Sequence, residues 1–161
     1  MANLLIIFSA NYLYLFSVFI ALVWFLKFKK NLKQVFSLIA LAFFLSYITA
    51  KLSSFFIYDP RPFVVEHIKP LIPHIADNGF PSDHMLLTMA IASVIFVYKR
   101  RLGIILAIIA ICVGTARVLA GVHHTEDILG SSVISIISTY VAFLFISHLS
   151  KRFRKTFKQL F

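Results

Sequence analysis

The sequence predicts an all-α fold: a polytopic membrane helix bundle of about five spans, forming one domain over residues 1–161. Three observations carry that expectation. Sixty per cent of the residues are hydrophobic and 16% aromatic, with a mean hydropathy of +0.91. The apolar runs are too many and too long for one globular core, and several approach or exceed the ~20 residues that cross a bilayer as a helix. The cations gather where those runs begin and end.

The first span is expected over 4–26 and the second over 32–56, with Lys51 near its outer end. A third covers 83–98, a fourth 102–120 and a fifth 126–149. Helices are the default for lipid-exposed spans, because each satisfies its own backbone polar groups. The opening MANLLIIF has no basic n-region and leads into a long span, so it does not read as a cleaved leader. Cys112 is the single cysteine; it offers no intrachain disulfide and is expected to be hydrophobic filler. No repeat, low-complexity segment or linker is visible.

A net charge of +10 raises nucleic acid as a partner. The placement of the charges argues against it. Lys27, Lys29, Lys30 and Lys33 form one cluster, Lys99, Arg100 and Arg101 a second, and Lys151, Arg152, Arg154, Lys155 and Lys158 a third. Each closes or opens an apolar run, which is the positive-inside signature. Contact with anionic lipid on the cytoplasmic side follows. Five spans put all three clusters in the cytoplasm when the N-terminus is outside and the C-terminus cytoplasmic. The outer side then receives 57–82 and 117–126, with all 6 acidic residues on or beside them. Lys51, Arg61, Lys69 and Arg117 fall there too, with every histidine except His148. A mixed set of Lys, Arg, His and Asp at one face has the composition of a site.

The third span is short. About 15 residues at ~1.5 Å each give roughly 22 Å, against a hydrocarbon core of ~30 Å. Its outer end, NGFPSDH, is therefore expected below the headgroup plane, in a polar pocket open to the outside.

Pro81-Ser82-Asp83-His84 has a bland reading. Ser82 or Asp83 is a favoured N-cap, and Pro81 stops the helix growing backward. That leaves His84 unexplained, at a depth where ionisable groups are costly. The functional reading uses the same geometry: a helix N-terminus seats phosphate, Ser82 adds a hydroxyl and His84 a titratable proton. Asp83 either caps or pairs with a nearby cation. Further on, Arg117 has a snorkelling alternative and Asp127 an N-cap alternative. Together with His123 they suggest more. A carboxylate on one ring nitrogen of His123 fixes the tautomer and leaves the other as nucleophile or base. Arg117 presents a planar fork to a phosphoryl group. Lys51 and Arg61, the latter between Pro60 and Pro62, are two more cations for the same anion.

PSDH and Arg117-x5-His123-x3-Asp127 resemble the second and third signature motifs of the type 2 phosphatidic acid phosphatase (PAP2) superfamily, whose first motif is Lys-x6-Arg-Pro. The resemblance spans residues 51–127. FPSDH and RPFV are similar to the bacterial undecaprenyl-diphosphatase branch. Nine residues separate Lys51 from Arg61 here, Ala116 stands where the family usually has Ser, and five spans replace the usual six. Lys69 is a possible substitute for Lys51.

The resemblance implies a membrane-embedded lipid-phosphate phosphatase. His123 would attack phosphorus and form a phosphohistidine, with Asp127 orienting it. His84 would protonate the leaving oxygen and then help activate water. Arg61, Arg117, Ser82 and, through the first motif, Lys51 would neutralise the equatorial oxygens, so that no metal or other cofactor is expected. The implied substrate is undecaprenyl diphosphate, cleaved outside a bacterial plasma membrane during carrier-lipid recycling for peptidoglycan synthesis. Phosphatidylglycerol phosphate, phosphatidic acid and lipid A are alternatives in the same class. A zinc site built from His67, His74, His84, His123 and His124 lacks HExxH and ligating cysteines. A transporter that holds the anion uncleaved would be expected to show inverted repeats, which are absent from the sequence. His124 and Glu126 have no assigned role, and the sequence does not disclose the oligomeric state.

Overall fold

The fold is described from a computed structural model covering residues 2–28 and 32–160, with side chains as far as residue 150. The helices are α1 (Ala2–Lys27), α2 (Leu32–Phe56), α3 (Pro62–Val65), α4 (Asp83–Tyr98), α5 (Arg100–Leu119) and α6 (Thr125–Leu160). Four of them are long and apolar enough to cross a membrane, and α4 is a shorter apolar helix. Among the described residues there is no strand, only an isolated bridge between Pro60 and Asn78. The all-α bundle expected from the sequence is therefore observed. Two boundaries differ from expectation: α5 starts at Arg100, and α6 runs on to Leu160. Lys29 and Lys30 lie outside the described residues, as do the side chains of the basic cluster at 151–158.

The shortest helix is the central one. α4 packs against α1, α2, α5 and α6. Met85, Leu86, Thr88, Met89, Ala90, Ile91, Ala92, Val94 and Ile95 are all buried, with no helical period to the pattern. A helix that is apolar all round is one enclosed on every side. The surrounding helices turn their large side chains outward instead: Phe8 and Phe19 on α1, Phe36 and Phe44 on α2, Ile104 and Ile108 on α5, Val133 and Ile137 on α6. Lipid is the natural cover for such a surface. Cys112 is exposed on this outer face, so the expectation that it fills the core is corrected.

Small residues bring the helices together. α4 and α5 form a hairpin with Lys99 as its joint, and Gly103 lets α5 lie directly against the Phe96 backbone, where a Cβ would collide. Along α6, Ser131 and Ser135 stand one turn apart and face α4. Ser135 Oγ donates to the Leu86 carbonyl (2.8 Å). Ser131 Oγ accepts the Ser82 N–H (2.8 Å) and donates to the Asp127 carbonyl (2.7 Å). Hydroxyls of this kind fasten helices where water is absent. Here they fix the start of α4 against the start of α6, the two helix ends that build the site.

Candidate active site

The start of α4 is set by its neighbours more than by its own cap. Ser82 holds the N-cap position, but its side chain makes no capping bond, which corrects the capping reading of that hydroxyl. Its Oγ is buried with no partner among the described residues. Asn78 does the stapling. Its Oδ1 accepts the N–H groups of Asp59 (2.9 Å) and Phe80 (3.1 Å), and its Nδ2 donates to the carbonyls of Ser54 (3.0 Å) and Ile57 (2.9 Å). One amide thus ties the end of α2 to the lead-in of α4. The Asn-Gly pair at 78–79 is a turn signal in the sequence, but nothing local in it discloses those partners.

A cavity of about 440 Å³ opens between α2, α4 and the connections 57–82 and 120–124. Lys51, Arg61, His74, Asp83, His84, Arg117 and His123 line it. The segments from which the sequence draws its candidates, far apart in the chain, therefore meet at one place. Ser82 and Asp127 stand behind the lining. Lys69, the possible substitute for Lys51, is exposed and not part of it. Lys51 is exposed, with Nζ 5.7 Å from the centre of the Tyr47 ring.

His123 and Asp127 form a buried pair, Nδ1 to Oδ2 3.0 Å. The same Oδ2 accepts the His124 N–H at 3.0 Å. Asp127 therefore sits inside the first turn of α6, closing back on the residue before the helix, and not at the N-cap position that the sequence left open. With the Nδ1 proton directed at the carboxylate, Nε2 carries the lone pair. It lies 3.3 Å from Arg61 Nη1. Burial pushes the His123 imidazolium below its ordinary value of 6.5, and the Arg61 and Arg117 charges add to this against the opposing Asp127 hydrogen bond. The ring is neutral at pH 7. Acid would protonate Nε2 and remove the nucleophilic lone pair. The acid limb of kcat/KM is therefore expected to inflect below 6.5. A profile of kcat/KM against pH checks this, and an inflection above that value would contradict it.

Arg61 is buried and clamped from two sides. Its Nε donates to Asp77 Oδ1 (2.6 Å) and its Nη1 to the Val122 carbonyl (2.7 Å). Partial burial would raise the Asp77 carboxyl, but the Arg61 guanidinium outweighs this and holds it below the usual carboxylate range. Asp77 stands out in no sequence pattern, because its partner is 16 residues away. Its side chain is 46% exposed, so water screens the pair and its worth is about 1 kcal/mol. Asp77→Asn is expected to raise KM about fivefold and leave kcat within about twofold. Steady-state kinetics test this, and a selective fall in kcat would contradict it.

Arg117, in the last turn of α5, is 3% exposed. Its Nε has no partner and its fork no ion pair among the described residues. His84, in the first turn of α4, meets the Tyr14 ring of α1 edge to face at 4.8 Å. Tyr14 is a further neighbour that the sequence does not single out, and His74, named there only as a zinc candidate, is another. The ring of His74 is 6.3 Å from that of His123, and burial, then the two arginines, push it below the ordinary histidine value. On the far side of the His123–Asp127 pair, His124 Nδ1 lies 3.0 Å from Asp59 Oδ2. Asp59, His124 and Asp127 are the one group among the described residues that could offer a cation three ligand atoms, all within 4.8 Å of one another.

Fold and site together define a multi-pass membrane protein with a cation-lined cavity built around a carboxylate-held histidine. The chain belongs to the PAP2 superfamily, whose model matches residues 34–151. It is 40% identical over 88 residues to undecaprenyl-diphosphatase BcrC of Bacillus subtilis, and 37% identical over 81 residues to a protein of Escherichia coli named putative undecaprenyl-diphosphatase YbjG. Those alignments cover 55% and 48% of this chain but only 46% and 39% of the relatives. The bacitracin transport permease protein BcrC of Bacillus licheniformis is 28% identical over 145 residues, covering 89% of this chain and 71% of that protein. Among solved structures, Aquifex aeolicus LpxE superposes with a TM-score of 0.70 at 27% identity, over 87% of this chain and 86% of that one. The PAP2-type phosphatidylglycerolphosphate phosphatase of Bacillus subtilis shares the fold, with a TM-score of 0.62 at 23% identity over 89% of this chain and 74% of that one.

Proposed function

We propose that this chain is a single membrane-embedded phosphatase domain over residues 1–161 that removes phosphate from undecaprenyl diphosphate, giving undecaprenyl phosphate. The observation that carries the reading is the His123–Asp127 pair at 3.0 Å, with the free Nε2 beside Arg61 in a cation-lined cavity. His123 Nε2 attacks phosphorus, the Asp127 carboxylate stabilises the developing imidazolium charge through the Nδ1 hydrogen bond, and a phosphohistidine forms as the bond to the leaving oxygen breaks. His84 protonates the leaving oxygen and then assists the water that releases phosphate. Arg61, Arg117 and Lys51 hold the equatorial oxygens, with the Ser82 hydroxyl and the first N–H groups of α4 behind them. Asp83 lines the same cavity as Arg117 and is the acidic member of the set. The relatives named undecaprenyl-diphosphatase support the choice of substrate. The site faces the outside of a bacterial plasma membrane, with the basic helix ends on anionic cytoplasmic lipid.

Other lipid phosphates form the second reading, favoured by the superposition on LpxE. The test is phosphate release in detergent with EDTA from undecaprenyl diphosphate, phosphatidylglycerol phosphate, phosphatidic acid and lipid A at matched surface concentration. The diphosphate should be cleaved fastest, with EDTA present. Preference for a diacyl substrate would overturn the substrate, and abolition by EDTA would overturn the metal-free mechanism. No release from any of them would move the function to transport, the activity in the name of the Bacillus licheniformis relative.

A further inference from the structure

The histidines around the cavity are held in two ways. His74, His123 and His124 each have Nδ1 within hydrogen-bond distance of an oxygen: the Ile75 carbonyl at 3.2 Å, Asp127 Oδ2 at 3.0 Å and Asp59 Oδ2 at 3.0 Å. Neither ring nitrogen of His84 has a hydrogen-bond partner among the described residues. Its ring meets that of Tyr14 instead, with centroids 4.8 Å apart and planes at 87°. Tyr14 is half-buried and does not line the cavity, so it touches His84 from behind. The bundle fixes this contact. Ala10, Ser17 and Trp24, the buried residues of α1, stand seven apart on one face, and Tyr14 falls on that face between the first two. Ala10 packs with Ala116 and Ala120, so the turn of α1 before Tyr14 is seated on the end of α5 that carries Arg117. α1 precedes the residues that the PAP2 model matches, so Tyr14 belongs to none of the family's three motifs.

A nucleophile and a proton donor need different supports. A carboxylate on Nδ1 fixes one tautomer and keeps the lone pair on Nε2, which suits His123. A ring that gives up a proton and takes one back in each turnover is poorly served by a fixed acceptor, which holds the proton away from the substrate. An aromatic ring orients an imidazole through the edge-to-face preference and consumes neither nitrogen. We propose that Tyr14 is a positioning residue for His84: its ring holds the imidazole in the orientation from which the proton reaches the leaving oxygen. The proposal rests on the reading of His84 as the proton donor. In the first step the His84 proton goes to the leaving oxygen as the bond from that oxygen to phosphorus breaks. In the second, the neutral ring takes a proton from the water that attacks the phosphohistidine. Tyr14 gains and loses no proton in either step, so its ring is required and its hydroxyl is not.

The test uses the full chain in detergent, with undecaprenyl diphosphate and a series of lipid-anchored phosphate esters whose leaving oxygens run from weakly to strongly basic. Wild type is compared with Tyr14→Phe, Tyr14→Leu, His84→Ala and the variant carrying both Tyr14→Leu and His84→Ala. Phenylalanine keeps the ring, so kcat should stay within about twofold. Leucine removes it, so kcat on the most basic leaving oxygen should fall about tenfold, the rate equivalent of one aromatic pair, with KM within about twofold. The deficit should shrink as the leaving oxygen becomes less basic, because such esters need less help from an acid, and should vanish in the His84→Ala background. A leucine variant as fast as wild type throughout overturns the proposal. So does a deficit equal on all esters or undiminished without His84, since Tyr14 would then support the fold and not the proton donor. A phenylalanine variant as slow as the leucine one overturns it too, because the hydroxyl would be the acting group. If only the diphosphate is cleaved, the double variant measured on it decides. If the leucine variant does not fold, Tyr14→Met enters the same comparisons. A fully active His84→Ala variant overturns the reading of His84 and the proposal with it, whereas a wild type that cleaves none of the substrates overturns the proposed phosphatase itself.

Discussion

The His123→Ala variant is expected to lose phosphate release by about 10³-fold or more. No other ring nitrogen in the cavity is held by a buried carboxylate, so no neighbour substitutes as nucleophile. His84 meets an aromatic ring, and the nearest carboxylate to His74 is Asp77 at 4.0 Å, 46% exposed. The truncation should be tolerated by the fold, since Asp127 Oδ2 keeps the His124 N–H. The loss should therefore come without a change in thermal midpoint. Brief exposure of the wild type to radiolabelled substrate should leave an acid-labile, alkali-stable phosphoryl group on the protein, and the variant should carry none. Activity within tenfold of wild type would sink the phosphohistidine route.

Arg117→Met is expected to do two opposite things: reduce kcat/KM about 10²–10³-fold and raise thermal stability. The loss follows from removing a preorganised charge aimed at the phosphoryl oxygens. The gain follows from burial. Arg117 is 3% exposed with no ion pair among the described residues, so its charge is largely desolvated, and in the proposed function its partner is the substrate anion. Replacing such a charge by an apolar side chain of similar length stabilises by about 1 kcal/mol or more. Phosphate or vanadate should raise the melting temperature of the wild type and leave the variant unmoved, because anion binding to the native state is what shifts the midpoint. A variant less stable than wild type in phosphate-free buffer would show that Arg117 is a structural cation.

The helices could be read from the sequence because each span signals itself: about twenty apolar residues with cations at the ends. α4 could also be read, since its polar lead-in and its shortness are local facts. The histidine, its aspartate and Arg117 could be read because their spacing puts them at the same end of the bundle, and Arg61 chiefly through the family resemblance of RPFV. The cage around them could not. Asp77 clamps Arg61, Asn78 joins α2 to α4, Asp59 reaches His124 across 65 residues, and Ser131 reaches Ser82 across 49. Such pairings are fixed by where the connection 57–82 closes over the cavity, and no period or propensity in the chain encodes that. Ser82 shows the limit from the other side: its place at the helix start was legible, but the loss of its capping bond is a tertiary outcome.

The one-residue joint between α4 and α5 bears on how the protein is made. A sixteen-residue helix without an outward face is a poor candidate for lone insertion into lipid. With Lys99 as the only residue between them, α4 and α5 are suited to enter as a pair, the longer leg carrying the shorter. When that pair closes, His84 at the free end of one leg and Arg117 at the free end of the other come to the same side of the membrane. Two of the cavity's candidate residues would then be brought together before α6 arrives with Asp127, and a defect at Gly103 is expected to appear as lost yield in the membrane before lost turnover.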